Sequence, residues 1–187
     1  MLEREHFMPP SQSSVENFAS VRAGDVEARV QLLLDRAEVA DVVSRYAQGI
    51  DTRDFALLRT CYTDEIEMDF SPTVVGMTRT HFTADEWVEM VSRFHSQFDG
   101  TEHILVPEGI DVDGDSARCY AVMHASHFKR DAKGSPHHLI AGSYDMTFMR
   151  TADGWKMSKA SQVVRWVEGN WHNHAEASKA LQEQSGA

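Results

Sequence analysis

From Asp25 onward apolar residues recur every three or four positions, at Val30, Leu33, Ala37, Ala40, Val43, Ala47 and Ile50. That spacing predicts an amphipathic helix ending around Gly49, a residue type that favours helix termination. Arg53 to Cys61, with Phe55, Leu57 and Leu58, reads as a second, short helix. Thr83-Ala84-Asp85-Glu86 has the form of a capping box, in which hydroxyl and carboxylate satisfy each other's backbone N–H groups, and it opens a third helix through Trp87, Met90, Val91 and Phe94.

After Gly100 the period changes from three or four to two, the repeat of a strand whose side chains alternate between faces. Glu102 to Val106 is the first such run, and Ala117 to Lys129 is the clearest. One face of the latter carries Cys119, Ala121, Met123, Ala125 and His127, the other Tyr120, Val122, His124, Ser126 and Phe128. Asp113-Gly114, Lys133-Gly134 and Asp153-Gly154 mark turns, with His138 to Arg150 and Trp155 to Trp166 as the strands between and after. Helices first and a meander afterwards predict an α+β fold with helices on one face of a bent, mostly antiparallel sheet, leaving a pocket between the layers. The expected division is an N-terminal arm over residues 1–24, one domain over 25–170 and a solvated C-terminal tail over 171–187 that carries His172 and His174.

Composition narrows the partners. A chain of 187 residues suits one core, and 42% hydrophobic with 25% charged residues is ordinary globular usage. The net charge of −11, with no basic cluster, argues against nucleic acid or an anionic membrane surface, both of which need clustered Lys and Arg. No apolar run approaches a membrane span and the polar first ten residues do not read as a secretory signal, so a cytoplasmic location is the expectation. Cys61 and Cys119 lack CxxC spacing and read as buried free thiols. Trp155, Trp166 and Trp171 fall near the last strand, and together with a sheet face that needs covering they predict a homo-oligomer, dimer or trimer.

No phosphate loop, GxGxxG, GxSxG, HExxH or EF-hand loop is present, which removes the main support for nucleotide, serine-hydrolase, zincin and calcium chemistry. The ten histidines include the close pairs His124/His127 and His137/His138. On a strand both pairs point to opposite faces, so no metal site is expected from them.

The order of elements carries particular residues at particular places. Tyr46-Ala-Gln-Gly-Ile-Asp51 closes the first helix, Thr101-Glu-His103 opens the first long strand, His127 lies on the next, and Val163-Val-Arg165-Trp166 ends the last. This pattern, with the stretch DTRDFALLRTCYTDEIEMDF and the ending DGWKM, resembles the SnoaL-like families of the nuclear-transport-factor-2-like superfamily over about residues 27–170. It looks closest to the branch containing scytalone dehydratase, bile-acid dehydratase and hexachlorocyclohexane dehydrochlorinase. The resemblance implies a cone-shaped roll and a cofactor-independent lyase acting on a hydrophobic, cyclic small molecule. By the same resemblance Asp51 orients His103 and His103 removes a proton, while His127 and Tyr46 assist the leaving group or bind a carbonyl. It further implies that Arg165 contacts substrate.

Phe70, Met123, Tyr144, Met146 and Trp87, with Phe148 and Trp166, are the residues expected around a broad apolar pocket. This chain also departs from scytalone dehydratase, with Ile50 and Phe70 where that enzyme carries two tyrosines, so its substrate is not implied. Each assignment has a plainer alternative: Asp51 as a cap for the turn into the second helix, His103 as a satisfied core residue, the methionines and aromatics as packing. The same base would also serve a polyketide cyclase or ketosteroid-type isomerase, and the fold alone would serve a non-catalytic binding or support subunit.

Overall fold

A computed structural model describes residues 24–74 and 76–185 of the chain, with side chains as far as Lys179. The arm over residues 1–24, apart from Gly24, lies outside the described residues. Helix α1 (Val26–Asp51) starts where Asp25 accepts the Ala28 N–H at 2.9 Å, and α2 (Phe55–Thr60) starts where Asp54 accepts the Leu57 N–H at 2.9 Å. The cap of the second helix is therefore Asp54, which leaves Asp51 free for other partners. Helix α3 (Ala84–His95) has the expected capping box between Thr83 and Glu86.

Six strands form one sheet: β1 (Tyr62–Asp69), β2 (Thr80–Thr83), β3 (Gly100–Asp113), β4 (Ser116–Phe128), β5 (His137–Thr151) and β6 (Gly154–Gly169), in the order β2-β1-β6-β5-β4-β3. The β1–β6 pair is parallel and every other pair antiparallel. The sheet is curved and unclosed, and the N-terminal helices pack on its inner face. Period-two alternation sets that face: Cys119, Ala121, Met123, Ala125 and His127 are all buried, while His124 is exposed. Both cysteines are free and fully buried. Among the described residues no helix is long and apolar enough to cross a membrane.

Several expectations need correction. The N-terminal turns of α1 are not covered by the sheet, so Val30 and Leu33 are 49% and 56% exposed, and the packed stripe runs instead through Val39, Val42, Val43, Tyr46 and Ile50. Strands β1 and β2 were not foreseen. The segment expected as a solvated tail forms helix α4 (Trp171–Ser185), in which His172 is exposed but His174 is buried. The three tryptophans do not share a surface: Trp155 is buried beneath the Arg150 guanidinium, Trp171 stacks on His174 at 4.4 Å, and only Trp166 faces outward.

Candidate active site

Asp51 is the last residue of α1, and its carboxylate is fixed from three sides. The Thr101 hydroxyl donates to Oδ1 at 2.9 Å, the His103 backbone N–H donates to Oδ2 at 2.7 Å, and the His103 ring meets Oδ1 through Nδ1 at 2.7 Å. Two residues on from Asp51, Arg53 sits at φ 60°, in the left-handed region disfavoured for side-chain-bearing residues. Its guanidinium spans back to the Ile50 carbonyl at 2.7 Å and to the Thr101 hydroxyl at 2.8 Å, tying the helix end to β3. Burial works to raise the Asp51 pKa, but hydrogen bonding and charge from His103, then its backbone N–H and Thr101, outweigh it and hold the carboxyl below its ordinary value.

His103 turns its ring into a cavity of about 550 Å³, counting the open mouth. Register explains its neighbours: Thr101 pairs with His127 and His103 with Ala125, so His103, Ala125 and His127 project from the inner face. His95, at the end of α3, and His174, from α4, complete an imidazole wall. The rings of His95, His103 and His127 lie 5.6–5.8 Å apart, centre to centre. His127 also stacks on His138, its cross-strand partner, at 4.5 Å. Burial is the main reason the His95 and His174 pKa values fall to about 3, that of His138 to about 4, and that of His127 well below the ordinary value, so these rings are neutral near pH 7.

Elsewhere on the wall the polar groups are two phenols, an amide and a hydroxyl. The Thr73 hydroxyl donates to Gln162 Oε1 at 2.5 Å, and Gln162 Nε2 reaches the Tyr144 hydroxyl at 3.5 Å. Tyr46 stands edge-on to Tyr144, ring centres 6.0 Å apart. Burial raises the phenol pKa of Tyr144 to about 12 and moves that of Tyr46 upward too, which keeps both as protonated donors. The apolar wall includes Phe70, Trp87, Val91, Phe94 and Ile140. Trp87 is oriented by donating its indole N–H to the buried Tyr62 hydroxyl at 3.0 Å.

Of the residues singled out from sequence, His103, His127, Tyr46, Phe70, Tyr144 and Trp87 meet at this cavity, with Asp51 held behind His103. Three do not. Met123 and Met146 are fully buried core residues that do not line the cavity, as is Phe148. Arg165 lies on the outer face, donating to the Tyr120 hydroxyl at 2.6 Å, and Trp166 is exposed beside His124. Alternation from the inward-facing Gln162 puts Arg165 on the outer face, and the register shift opposite Ala141 and Gly142 brings Trp166 to that face as well, paired with Ala141.

Sequence reading missed His95, His174, Gln162 and Thr73. His95 had a signal, because it lies four residues after Val91 and eight after Trp87 and so falls on the buried stripe of α3.

Comparison with known proteins agrees with this architecture. A family model described as the SnoaL-like domain matches residues 31–161. The chain belongs to the SnoaL-like family. Among solved structures, the Kfla4162 protein from Kribbella flavida is similar to this SnoaL-like domain with a TM-score of 0.73 and 28% identity, over 77% of this chain and 99% of that one. A hexachlorocyclohexane dehydrochlorinase (LinA type 2) superposes with a TM-score of 0.64 and 18% identity, over 75% and 92% of the two chains. A protein assigned as a scytalone dehydratase, from Novosphingobium aromaticivorans DSM 12444, gives 0.64 and 17%, over 74% and 89%. At such identities these last two show the shared fold.

Proposed function

We propose that this SnoaL-like domain is a lyase for a hydrophobic, cyclic small molecule, with His103 as general base and Asp51 as its positioning partner. The observation that carries the reading is the 2.7 Å contact between Asp51 Oδ1 and His103 Nδ1 at the wall of an apolar cavity. That contact puts the ring hydrogen on Nδ1 and leaves the lone pair on Nε2. A substrate C–H beside a carbonyl or leaving group gives its proton to Nε2. The C–H electron pair becomes a new C=C bond, and the leaving group departs with its own bonding pair. Water or hydrogen halide is lost overall, and the carboxylate stabilises the imidazolium formed in between. Tyr46 and His127 stand where they can serve the departing group. The fold's likeness to a dehydrochlorinase and to an assigned dehydratase supports elimination as the reaction class.

A second reading has a specific observation in its favour. Tyr46 and Tyr144, held as neutral donors with Gln162 behind, suit the oxyanion of an enolate, so the same base would run an isomerisation or cyclisation. The two readings separate by product. Purified protein is incubated with hexachlorocyclohexane and with scytalone, following chloride release and dehydration, and with an unconjugated ketosteroid, following conjugation of the double bond. Release abolished by His103→Ala supports elimination. Conjugation without loss of water or halide supports the second reading, and a wild type no faster than His103→Ala on all three refutes these substrate assignments.

Self-association is part of the proposal. Ile104 and Trp166, on a cross-strand row through His124 and Ala141, are more than half exposed, as is Val106 two residues on. Light scattering after gel filtration reads the mass directly, and a monomer would remove this part.

A further inference from the structure

His95, His103 and His127 reach the cavity from three different elements: the end of α3, the start of β3 and the end of β4. One ring nitrogen of each lies within 4.8 Å of the other two. Three imidazoles on a tetrahedral ion, with metal–nitrogen bonds of roughly 2.0–2.1 Å, have nitrogens about 3.4 Å apart and ring centres about 5 Å apart. Centre spacings of 5.6, 5.6 and 5.8 Å are therefore within an ångström of that geometry, and binding an ion would draw the nitrogens in from the present limit of 4.8 Å.

The surrounding hydrogen bonds suit metal ligation. His95 Nδ1 contacts the Val91 carbonyl at 2.8 Å, an acceptor only, so its N–H is there and Nε2 carries the lone pair. His103 Nδ1 is held in the same way by Asp51. A ligating histidine is normally fixed by such a carbonyl or carboxylate on its far nitrogen. His127 is 3% exposed, and its Nδ1 is buried with no hydrogen-bond partner among the described residues. A buried ring nitrogen without a partner costs about 1–3 kcal/mol, which a ligand in the cavity would offset. Among the described residues no Cys, Asp or Glu lines the cavity, and the Asp51 carboxylate sits behind His103 on Nδ1, so the set turned to the cavity is all imidazole, with a fourth position open toward the apolar space.

We infer that His95, His103 and His127 bind one divalent transition-metal ion of the zinc class. The site does not depend on the elimination reading. Ion and proton compete for Nε2 of His103, so a chain holding the ion has no free base.

The test uses the full chain after treatment with a chelator, titrated with Zn²⁺ against a zinc-binding dye and with Co²⁺ by visible absorption. Wild type binds one equivalent, and cobalt shows the intense bands of a four-coordinate nitrogen-rich site. His95→Gln and His127→Gln each lose that equivalent, Asp51→Asn weakens it by roughly 10–100-fold, and His124→Gln, on the outer face, leaves it unchanged. Circular dichroism confirms folding, and either glutamine variant suffices if the other fails to fold. Absence of a stoichiometric ion in wild type overturns the inference, as does full binding in a folded His95→Gln or His127→Gln. Because binding is read without substrate, failure here leaves the elimination reading standing, and failure of that reading leaves this one.

Discussion

Asp51 holds His103 at two points, its Oδ2 accepting the backbone N–H and its Oδ1 facing ring Nδ1, each at 2.7 Å. Two contacts from one carboxylate fix both the strand position and the ring tautomer, so position and protonation are set by the same group.

Asp51→Asn therefore removes charge and tautomer control together, because an amide can accept from only one side. Turnover on the substrate found by the product screen is expected to fall by about 10²–10⁴, the usual contribution of a positioned general base. His103→Ala should fall as far or further. Ligand affinity, read by calorimetry, should change much less than turnover. Near-normal turnover in both variants would remove the dyad from the mechanism.

Arg53 allows strain to be separated from bonding. At φ 60° a Cβ-bearing residue is strained by roughly 1–2 kcal/mol, which glycine does not suffer. Arg53→Gly and Arg53→Ala both lose the guanidinium bonds to Ile50 and Thr101, but only alanine keeps the strain. The glycine variant should be the more stable of the two by about 1 kcal/mol in urea denaturation. Alanine is ordinarily the better residue, so the usual order in this pair would show that the backbone here is not held left-handed.

Much of this site is legible in the sequence. The alternation of β4 put His127 on the buried face because one long strand shows both faces at once. The end of α1 placed Asp51 five residues beyond Tyr46. What escaped has physical causes. The β1 segment Tyr62–Asp69 contains Asp64, Glu65 and Glu67, so its polar face hid the strand. Helix α4 has few apolar residues and packs through Asn173, His174, Ala177 and Ser178, which read as solvent-facing in a sequence. The convergence of His95 with His103 and His127 depends on three separate elements, and no local spacing encodes it.

Gly142 leaves no room for a side chain between β5 and β6. A Cβ there would sit 1.9 Å from the Val163 carbonyl oxygen, a backbone atom that moves only with the strand. Gly142→Ala should therefore destabilise the fold by about 1–3 kcal/mol. It should also disturb the Tyr144–Gln162 pair one step along the same strands. A shift in urea midpoint checks the first, and altered ligand affinity the second. An unchanged midpoint would mean that the bulge relaxes freely.

Asp35 supplies a pH dependence with a defined sign. Its side chain is 6% exposed and receives both arms of Arg150, at 2.7 and 2.9 Å, with the Trp155 indole N–H at 3.2 Å and the Gln31 amide at 3.1 Å. Led by the Arg150 hydrogen bonds, which exceed the opposing effect of burial, these contacts lower its pKa from 3.8 to about 2. The unfolded chain therefore binds this proton first as pH falls. The stabilisation, on the order of 2 kcal/mol, is complete well above pH 4 and disappears as pH drops through about 2. Many other carboxylates titrate in the same range, so wild type alone would not isolate the effect. The difference from Asp35→Asn does. Breaking this buried pair should cost about 3 kcal/mol at pH 7, and the gap between the two proteins in urea denaturation should narrow steadily from pH 4 to pH 2. A gap that stays constant over that interval would place the stabilising effect of Asp35 in shape and packing instead of in its charge.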